Sequence, residues 1–294
     1  MKNLFVTGGL GQDANLLSKI ISKKKFKIFY FINKKYKSKK NNINYININL
    51  LNKKKIEEVF KVNKPDIILH LASNNPAYNE KNYNKFYLEN IKISLNLFKS
   101  SFGINRSIRF IFISSSQIFK KKSGIVTEKS EKKITTPYTK FRIEFNNFLS
   151  LNRVNFTNII LFNHDSKYRN KKFLIPRVME ALKNKNISFL NEIISANISG
   201  DFSHAEDICN GINKVLLCKK KIKNIILSAN KGTSINNMIN YVIKKNKLKI
   251  KLNFRLRKKK KPFLIGNNSF AKKLLKWKHK KNIYIAANDI YKNL

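Results

Sequence analysis

The chain has 294 residues, and Lys and Arg outnumber Asp and Glu by 62 to 16, a formal charge of +46 at pH 7. With 42% hydrophobic residues it can bury a full core, which excludes a disordered polycation. Two cysteines, Cys209 and Cys218, exclude a disulfide scaffold or a cysteine-rich zinc site, and no metal is expected.

The charge first suggests nucleic acid. Arginine, whose planar fork reads phosphate and base edges, supplies only eight of the basic residues. The rest are lysines spread from Lys2 to Lys292, alongside abundant Asn, Ile and Phe. These four residues share A- and T-rich codons, so a genome bias accounts for the charge, and no specific nucleic-acid partner is expected. No apolar run reaches the roughly 20 residues of a membrane span. The N-terminus enters a short strand and then glycines, unlike a signal peptide. A soluble cytoplasmic protein is the expectation.

Lys2 to Val6 is a short apolar strand ending in Thr7-Gly8-Gly9-Leu10-Gly11, and Leu16, Leu17, Ile20 and Ile21 then share a helical face. Strands are predicted at 26–32 and 45–48, with a helix over 56–62. Ile67 to Ala72 is near-continuously apolar, as in a strand buried on both faces of a parallel sheet. A helix over 86–98, a strand over 110–113, a helix over 138–149 and a strand over 158–162 follow. The alternation predicts a doubly wound, Rossmann-type α/β sheet. Aromatic stretches such as Phe29-Tyr30-Phe31 read as core. After Phe162 the rhythm breaks: 164–203 is read as irregular with one helix near 176–183, then a helix over 205–217 and a strand over 224–227. The remainder is read as a helix (235–244), a strand (248–254), a solvated lysine run (258–261) and helical pieces. The predicted division is a dinucleotide-binding domain of residues 1–163 with 204–230 returning to it. A smaller C-terminal substrate lobe comprises 164–203 and 231–294.

Gly8-x-x-Gly11-x-x-Ala14 follows a strand and opens a helix, the context that gives a glycine pattern meaning as a dinucleotide site. The glycines allow the tight turn and the approach of a pyrophosphate to the helix N-terminus, and Ala14 is small enough for close helix–strand contact. The second strand ends Ile32-Asn33-Lys34-Lys35. It lacks the carboxylate that grips a ribose 2′-hydroxyl, and Lys34 could receive a 2′-phosphate, so NADP is favoured over NAD.

The loop continues as Gly11-Gln12-Asp13, which resembles the GDP-mannose 4,6-dehydratases, members of the extended short-chain dehydrogenases. Three further segments are similar to that family. They are Leu161 to Ser166 with Arg169 and Phe173, Gly200 to Asp207, and Leu264 to Asn267 with Ala271 to Trp277. Arg257 falls where the family has an Arg before the last of these. The resemblance spans nearly the whole chain. It implies an NADP-dependent dehydratase that oxidises C4 of a GDP-sugar, eliminates water across C5–C6 and returns hydride to C6. It also implies a homo-oligomer paired through the helix carrying Tyr138 and the helix near Asn90.

The resemblance places catalysis at Ser115, which holds the substrate oxygen, and Tyr138, the base. A cation beside that Tyr favours its charged form. Two positions depart from the family. Arg142 stands where the family has Lys, on the same helix face as Tyr138 by its i, i+4 spacing. Gln117 stands where it has the Glu that removes the C5 proton, and an amide cannot take up that proton. His204, Asp165 and Glu89 are candidate stand-ins; the alternatives are a sugar-nucleotide 4-epimerase or 4-keto reductase, which would need no such base, and a catalytically impaired protein that keeps the nucleotide site. The resemblance adds Asn49, Leu50, Leu71, Ala72, Ser73, His164 and Arg169 as cofactor contacts. Asn163, Arg177 and Arg257 are candidate substrate contacts, since Arg binds phosphate bidentately. Of six aspartates, 13, 66, 165, 201 and 207 lie in the segments singled out.

Overall fold

A computed structural model describes residues 1–34, 36, 43–75, 83–254, 259 and 262–294. Arg257 and most of the 258–261 lysine run lie outside the described residues. Alternation of strand and helix is observed from the first residues. In chain order come β1 (Lys2–Thr7), α1 (Gln12–Ile20), β2 (Phe26–Ile32), β3 (Ile43–Asn47), α2 (Lys53–Asn63), β4 (Ile67–His70) and α3 (Tyr83–Phe102). β5 (Arg109–Ser115), β6 (Gly124–Val126), α4 (Pro137–Leu151) and β7 (Phe156–Leu161) follow. Then come β8 (Asn163–Asp165), α5 (Leu174–Lys183), α6 (Ile187–Ser195), β9 (Ser199–Gly200), β10 (Phe202–His204) and α7 (Ala205–Leu217). The chain ends with β11 (Asn224–Leu227), β12 (Thr233–Ser234), α8 (Ile235–Lys245), β13 (Leu264–Gly266), α9 (Ser269–Leu275) and α10 (Ile283–Asn293).

Seven parallel strands form one sheet in the order β11-β7-β5-β4-β1-β2-β3. This is a Rossmann-type fold, with the order reversing between β1 and β4. The central strands are mostly apolar because both faces are covered, whereas the edge strand β3 is only partly buried. Leu4, Val6, Ile28, Tyr30, Leu69 and Ile111 pack with α1, α7 and α9. Phe5, Phe29, Phe31, Ile68, Phe110 and Phe112 turn the other way toward α2, α3 and α4. That side is an aromatic layer, with the Phe5 and Phe29 rings stacked at 4.4 Å. Phe29-Tyr30-Phe31 is therefore core.

The region after β7 is more regular than its sequence suggests. Residues 164–203 hold two helices and parts of three short strands rather than one helix. β8 pairs with β10, β9 with β12, and β6 with β13. Residues 248–254, read as a strand, carry no regular structure. Their alternation is real, since Leu248, Ile250 and Leu252 pack on the lobe core, but no ladder partner faces them among the described residues. That core joins α5, α6, α8 and α10 through Ile175, Met179, Leu190, Ile239, Ala286 and Ile290.

Three of the six aspartates act as backbone staples. Asp66 accepts from the Asn3 amide at 2.7 Å. Asp201 accepts from the amides of Ala229, Asn230 and Gly266 at 2.8, 3.2 and 3.0 Å. Asp207 accepts from those of Lys280 and Lys281 at 2.8 and 2.6 Å. Burial raises the Asp201 carboxyl to about 6 despite its three donors. Such bonds satisfy amides that would otherwise be buried without partners, which explains why a chain poor in acid keeps them.

Candidate functional site

The C-terminal ends of β1, β2 and β4 open onto a cleft of about 650 Å³. Its walls are the glycine loop (Gly8 to Ala14), the end of β2 (Phe31 to Asn33), Ile48 to Leu51, and Leu71 to Asn75. Glu89, Ile93, Tyr168, Arg169, Asn170 and Phe173 complete it.

Gly8 has φ +70°, and a Cβ there would lie 3.2 Å from the Ala72 backbone. Only glycine holds this turn while β1 and β4 approach so closely. Gly9, which the motif reading passed over, is fixed by packing, because a Cβ would come within 2.7 Å of Tyr30 Cβ. Ala14 is fully buried, and its carbonyl accepts from the Tyr30 hydroxyl at 3.0 Å. Helix α1 starts at Gly11 with no side-chain cap. Its first amides are therefore open toward the cleft, an arrangement suited to an anion. The cradle fits the diphosphate of a dinucleotide.

Of the expected cofactor contacts, Gly8, Gly11, Gln12, Asp13, Asn49, Leu50, Leu71, Ala72, Ser73 and Arg169 line this cleft. Lys34 is exposed and does not line it; its neighbour Asn33 does. His164 is buried behind the wall. Sequence reasoning missed Tyr168 and Asn170 as lining residues, and no motif signal marks them.

The segments that carried the family resemblance interlock. Gln12 Nε2 donates to the His164 carbonyl at 3.2 Å, and the Ser166 hydroxyl donates to Gln12 Oε1 at 3.0 Å. His164 Nδ1 faces the Phe162 carbonyl at 2.8 Å, and Nε2 lies 3.2 Å from both Asp13 carboxylate oxygens. The carbonyl and the ionised carboxylate only accept, so this arrangement favours the doubly protonated imidazolium. Burial alone would lower the imidazole pKa, but the Asp13 carboxylate overcomes it and raises the value. Burial would likewise raise the Asp13 carboxyl, but His164 and then Arg169 hold it below the usual range. Arg169 also pairs with buried Asp165 at 3.4 Å.

The sign of the pH effect follows. Asp13's contribution to stability is present above the ordinary carboxylate pKa near 4 and is lost as pH falls through its lowered value. That of His164 is present below about 6.5 and is lost as pH rises through its raised value. The pair therefore stabilises fully between about pH 4 and 6.5. His164→Gln is expected to cost about 3 kcal/mol in that window, as for one partner of a buried ion pair. Urea unfolding across pH checks this: the wild-type advantage shrinks on the alkaline side, and a constant difference from pH 5 to 9 contradicts it.

The second group of residues sits beyond β5. Thr136 caps α4 by accepting from the Thr139 amide, the Thr139 hydroxyl accepts in return from the Thr136 amide, and Pro137 takes the first turn. This capping box sets Tyr138 at the start of the helix. Arg142 is 4% exposed. It donates to the Ile113 carbonyl, to Ser73 Oγ at 2.9 Å, to Asn75 Oδ1 at 3.3 Å and to the Tyr138 hydroxyl at 3.4 Å. Arg142 thus bridges the cofactor cleft and Tyr138. Lys140, two residues from Tyr138, instead lies near Glu144 and over the Tyr87 ring. Ser115 is the last residue of β5, and its hydroxyl accepts from the Gln117 amide at 3.3 Å.

Gln117 and Asn163 line a smaller cleft of about 270 Å³, with Lys122, Thr135, Ser199 and Phe263. Arg177 lies on α5 with its guanidinium 5.2 Å from the Phe189 ring and lines neither cleft. Of the stand-in bases, His204 caps α7 by accepting from the Glu206 amide, and Asp165 is held by Arg169. Glu89 alone lines the larger cleft, where Asn74 Nδ2 donates to it at 2.6 Å. The described residues hold no cluster of groups suited to a metal and no helix long and apolar enough to cross a membrane.

Known proteins share this architecture. A UDP-glucuronic acid 4-epimerase from Bacillus cereus, solved with NAD, superposes with a TM-score of 0.82 at 16% identity, covering 99% of this chain and 96% of that one. A dTDP-glucose 4,6-dehydratase from Bacillus anthracis, also solved with NAD, gives 0.81 at 17% identity over 99% and 96%. At such identities the likeness is one of fold. A UDP-glucose 4-epimerase of Mycoplasma genitalium is 24% identical, across 97% of this chain and 94% of that protein. The model of the NAD dependent epimerase/dehydratase family matches residues 4–227, which hold the glycine loop, Tyr138 and Arg142. By that match, with a sheet and glycine cradle of the matching kind, the chain belongs to the NAD dependent epimerase/dehydratase family.

Proposed function

We propose that the protein exchanges hydride and proton at a hydroxyl-bearing carbon of a nucleotide sugar, as a 4-epimerase does, without eliminating water. The observation that carries this reading is the Arg142–Tyr138 contact, joined to the cofactor cleft through Ser73 and Asn75, with Gln117 standing where the family resemblance puts a dehydratase base. Tyr138 takes the proton of the sugar hydroxyl and returns it. Arg142, donating to the phenol oxygen, supports the negative charge that develops there. The Ser115 hydroxyl orients the substrate oxygen. A nicotinamide dinucleotide, when bound, supplies the hydride acceptor. The glycine loop and α1 would hold its diphosphate, and Asn33, Asn49 and Leu50 would border its adenosine.

A second reading, an NADP-dependent GDP-mannose 4,6-dehydratase, is favoured by the contacts among Gln12, Asp13, His164 and Ser166. In that case Glu89 is the carboxylate nearest to serving as base. One experiment separates the two: incubation with UDP-glucose or GDP-mannose and either dinucleotide, read by mass and NMR. Inversion at C4 with unchanged mass supports the epimerase. A product lighter by one water supports the dehydratase, and Gln117→Glu would then raise its yield. Absence of both overturns both.

The cofactor's second phosphate is tested at Asn33. The end of β2 offers no carboxylate to repel it, so NADP is expected to bind at least as well as NAD. Asn33→Asp is expected to weaken NADP about tenfold and to leave NAD within about twofold, since only NADP brings a second anion there. Calorimetric titration with each dinucleotide checks this, and equal losses would contradict it.

A further inference from the structure

Beneath the cofactor cleft lies a buried chain of polar side chains in the aromatic layer. His70, the last residue of β4, is 1% exposed, and its ring sits 6.0–6.5 Å from those of Phe110, Phe112 and Phe145. An imidazole among such rings costs free energy unless both nitrogens are satisfied. Both are: Nδ1 lies 2.8 Å from Thr7 Oγ1 and Nε2 lies 2.8 Å from Ser94 Oγ. Thr7 and Ser94 are themselves fully buried.

The partners fix the direction of every bond. The Ser94 hydroxyl donates to the Asn90 carbonyl at 2.7 Å, so its oxygen accepts from His70 Nε2–H. His70 Nδ1 then accepts, and the Thr7 hydroxyl donates to it. Thr7 Oγ1 in turn accepts from the Ala72 amide at 2.9 Å. The result is a one-way relay through a neutral ring. Burial and then the Arg142 charge hold His70 neutral, pushing it down to about 3.

The ends of the relay meet at the cofactor cradle. Thr7 immediately precedes Gly8, whose close approach to Ala72 shapes the diphosphate slot. At the α3 end, Asn90 clamps the next loop residue: its Oδ1 accepts from the Asn74 amide at 2.8 Å and its Nδ2 donates to the Asn74 carbonyl at 3.1 Å. The residues flanking Asn74, Ser73 and Asn75, are two of the four acceptors of Arg142. We propose that His70 is a positioning residue: its buried imidazole locks the glycine loop to the loop after β4 and to α3, and thereby sets the dinucleotide slot and the seat of Arg142. This role rests on the cleft holding a nicotinamide dinucleotide.

The test uses near-isosteric changes at the two ends, Thr7→Val and Ser94→Ala, with the double variant and His70→Phe. Dinucleotide affinity is measured by calorimetry, and the His70 ring nitrogens are followed by NMR in the intact protein. Each single change is expected to weaken binding about tenfold. The double variant should be no weaker than the worse single, because Thr7 and Ser94 are coupled only through the ring. The NMR shifts should show Nε2–H, a bare Nδ1 and no titration from pH 5 to 8. Effects that multiply in the double variant, unchanged affinity with only a lower melting temperature, or an Nδ1–H ring would each overturn the role. Wild-type protein that binds neither NAD nor NADP overturns the reading of the cleft and this role with it. Wild-type binding with independent variants overturns this role alone.

Discussion

Tyr138→Phe is expected to lower turnover about a thousandfold while dinucleotide affinity stays within about twofold. The substitution removes one oxygen and leaves the ring. Tyr138 is half-buried at the start of α4, and the capping box of Thr136 and Thr139 sets its backbone, so neither helix nor fold depends on the hydroxyl. That hydroxyl receives Arg142 and lies outside the glycine cradle. Loss of a positioned proton-transfer group costs 10²–10⁴ in rate, and among the described residues Tyr168 is the only phenol or imidazole that lines either cleft. Single-turnover conversion of a nucleotide sugar, with affinity measured separately, checks the split. A variant that keeps a tenth or more of wild-type turnover would remove Tyr138 from the chemistry.

The central sheet was legible because its physics is local. A strand buried on both faces is largely apolar, and the apolar runs of β1, β2, β4, β5 and β7 announce themselves this way. The lobe was less legible for an equally physical reason. β8, β9, β10 and β12 are two or three residues long, too short to carry any period. Helix α6 did leave a signal, since Asn186 caps it by accepting from the Phe189 amide, and that Asn was passed over. The false strand at 248–254 satisfied the period of two through packing alone. At the site, the glycine loop could be read from spacing. Lys34 could not be judged, because reaching the cleft depends on where β2 ends, and Asn33 takes that place instead. The His70 relay was invisible to any motif: its members lie at positions 7, 70 and 94, and only the parallel pairing of β1 with β4 brings them together.

Arg142→Met is expected to lower kcat/KM by about a hundredfold or more and to cost about 2 kcal/mol of stability, whereas Arg142→Lys should recover part of the activity. Met fills the space between the rings of Tyr138, Phe141 and Phe112, which lie 5.0, 5.0 and 5.4 Å from the guanidinium carbon. It leaves the Ile113 carbonyl without its donor and frees Ser73 and Asn75. Lys restores a charge but not the fork that spans four partners at once. The decisive comparison is a cycle with Tyr138→Phe. If Arg142 acts on the reaction through the phenol oxygen, its loss on the Phe background changes turnover by less than about threefold, because the two residues work as a unit. If Arg142 serves only to hold the loop, the two losses multiply.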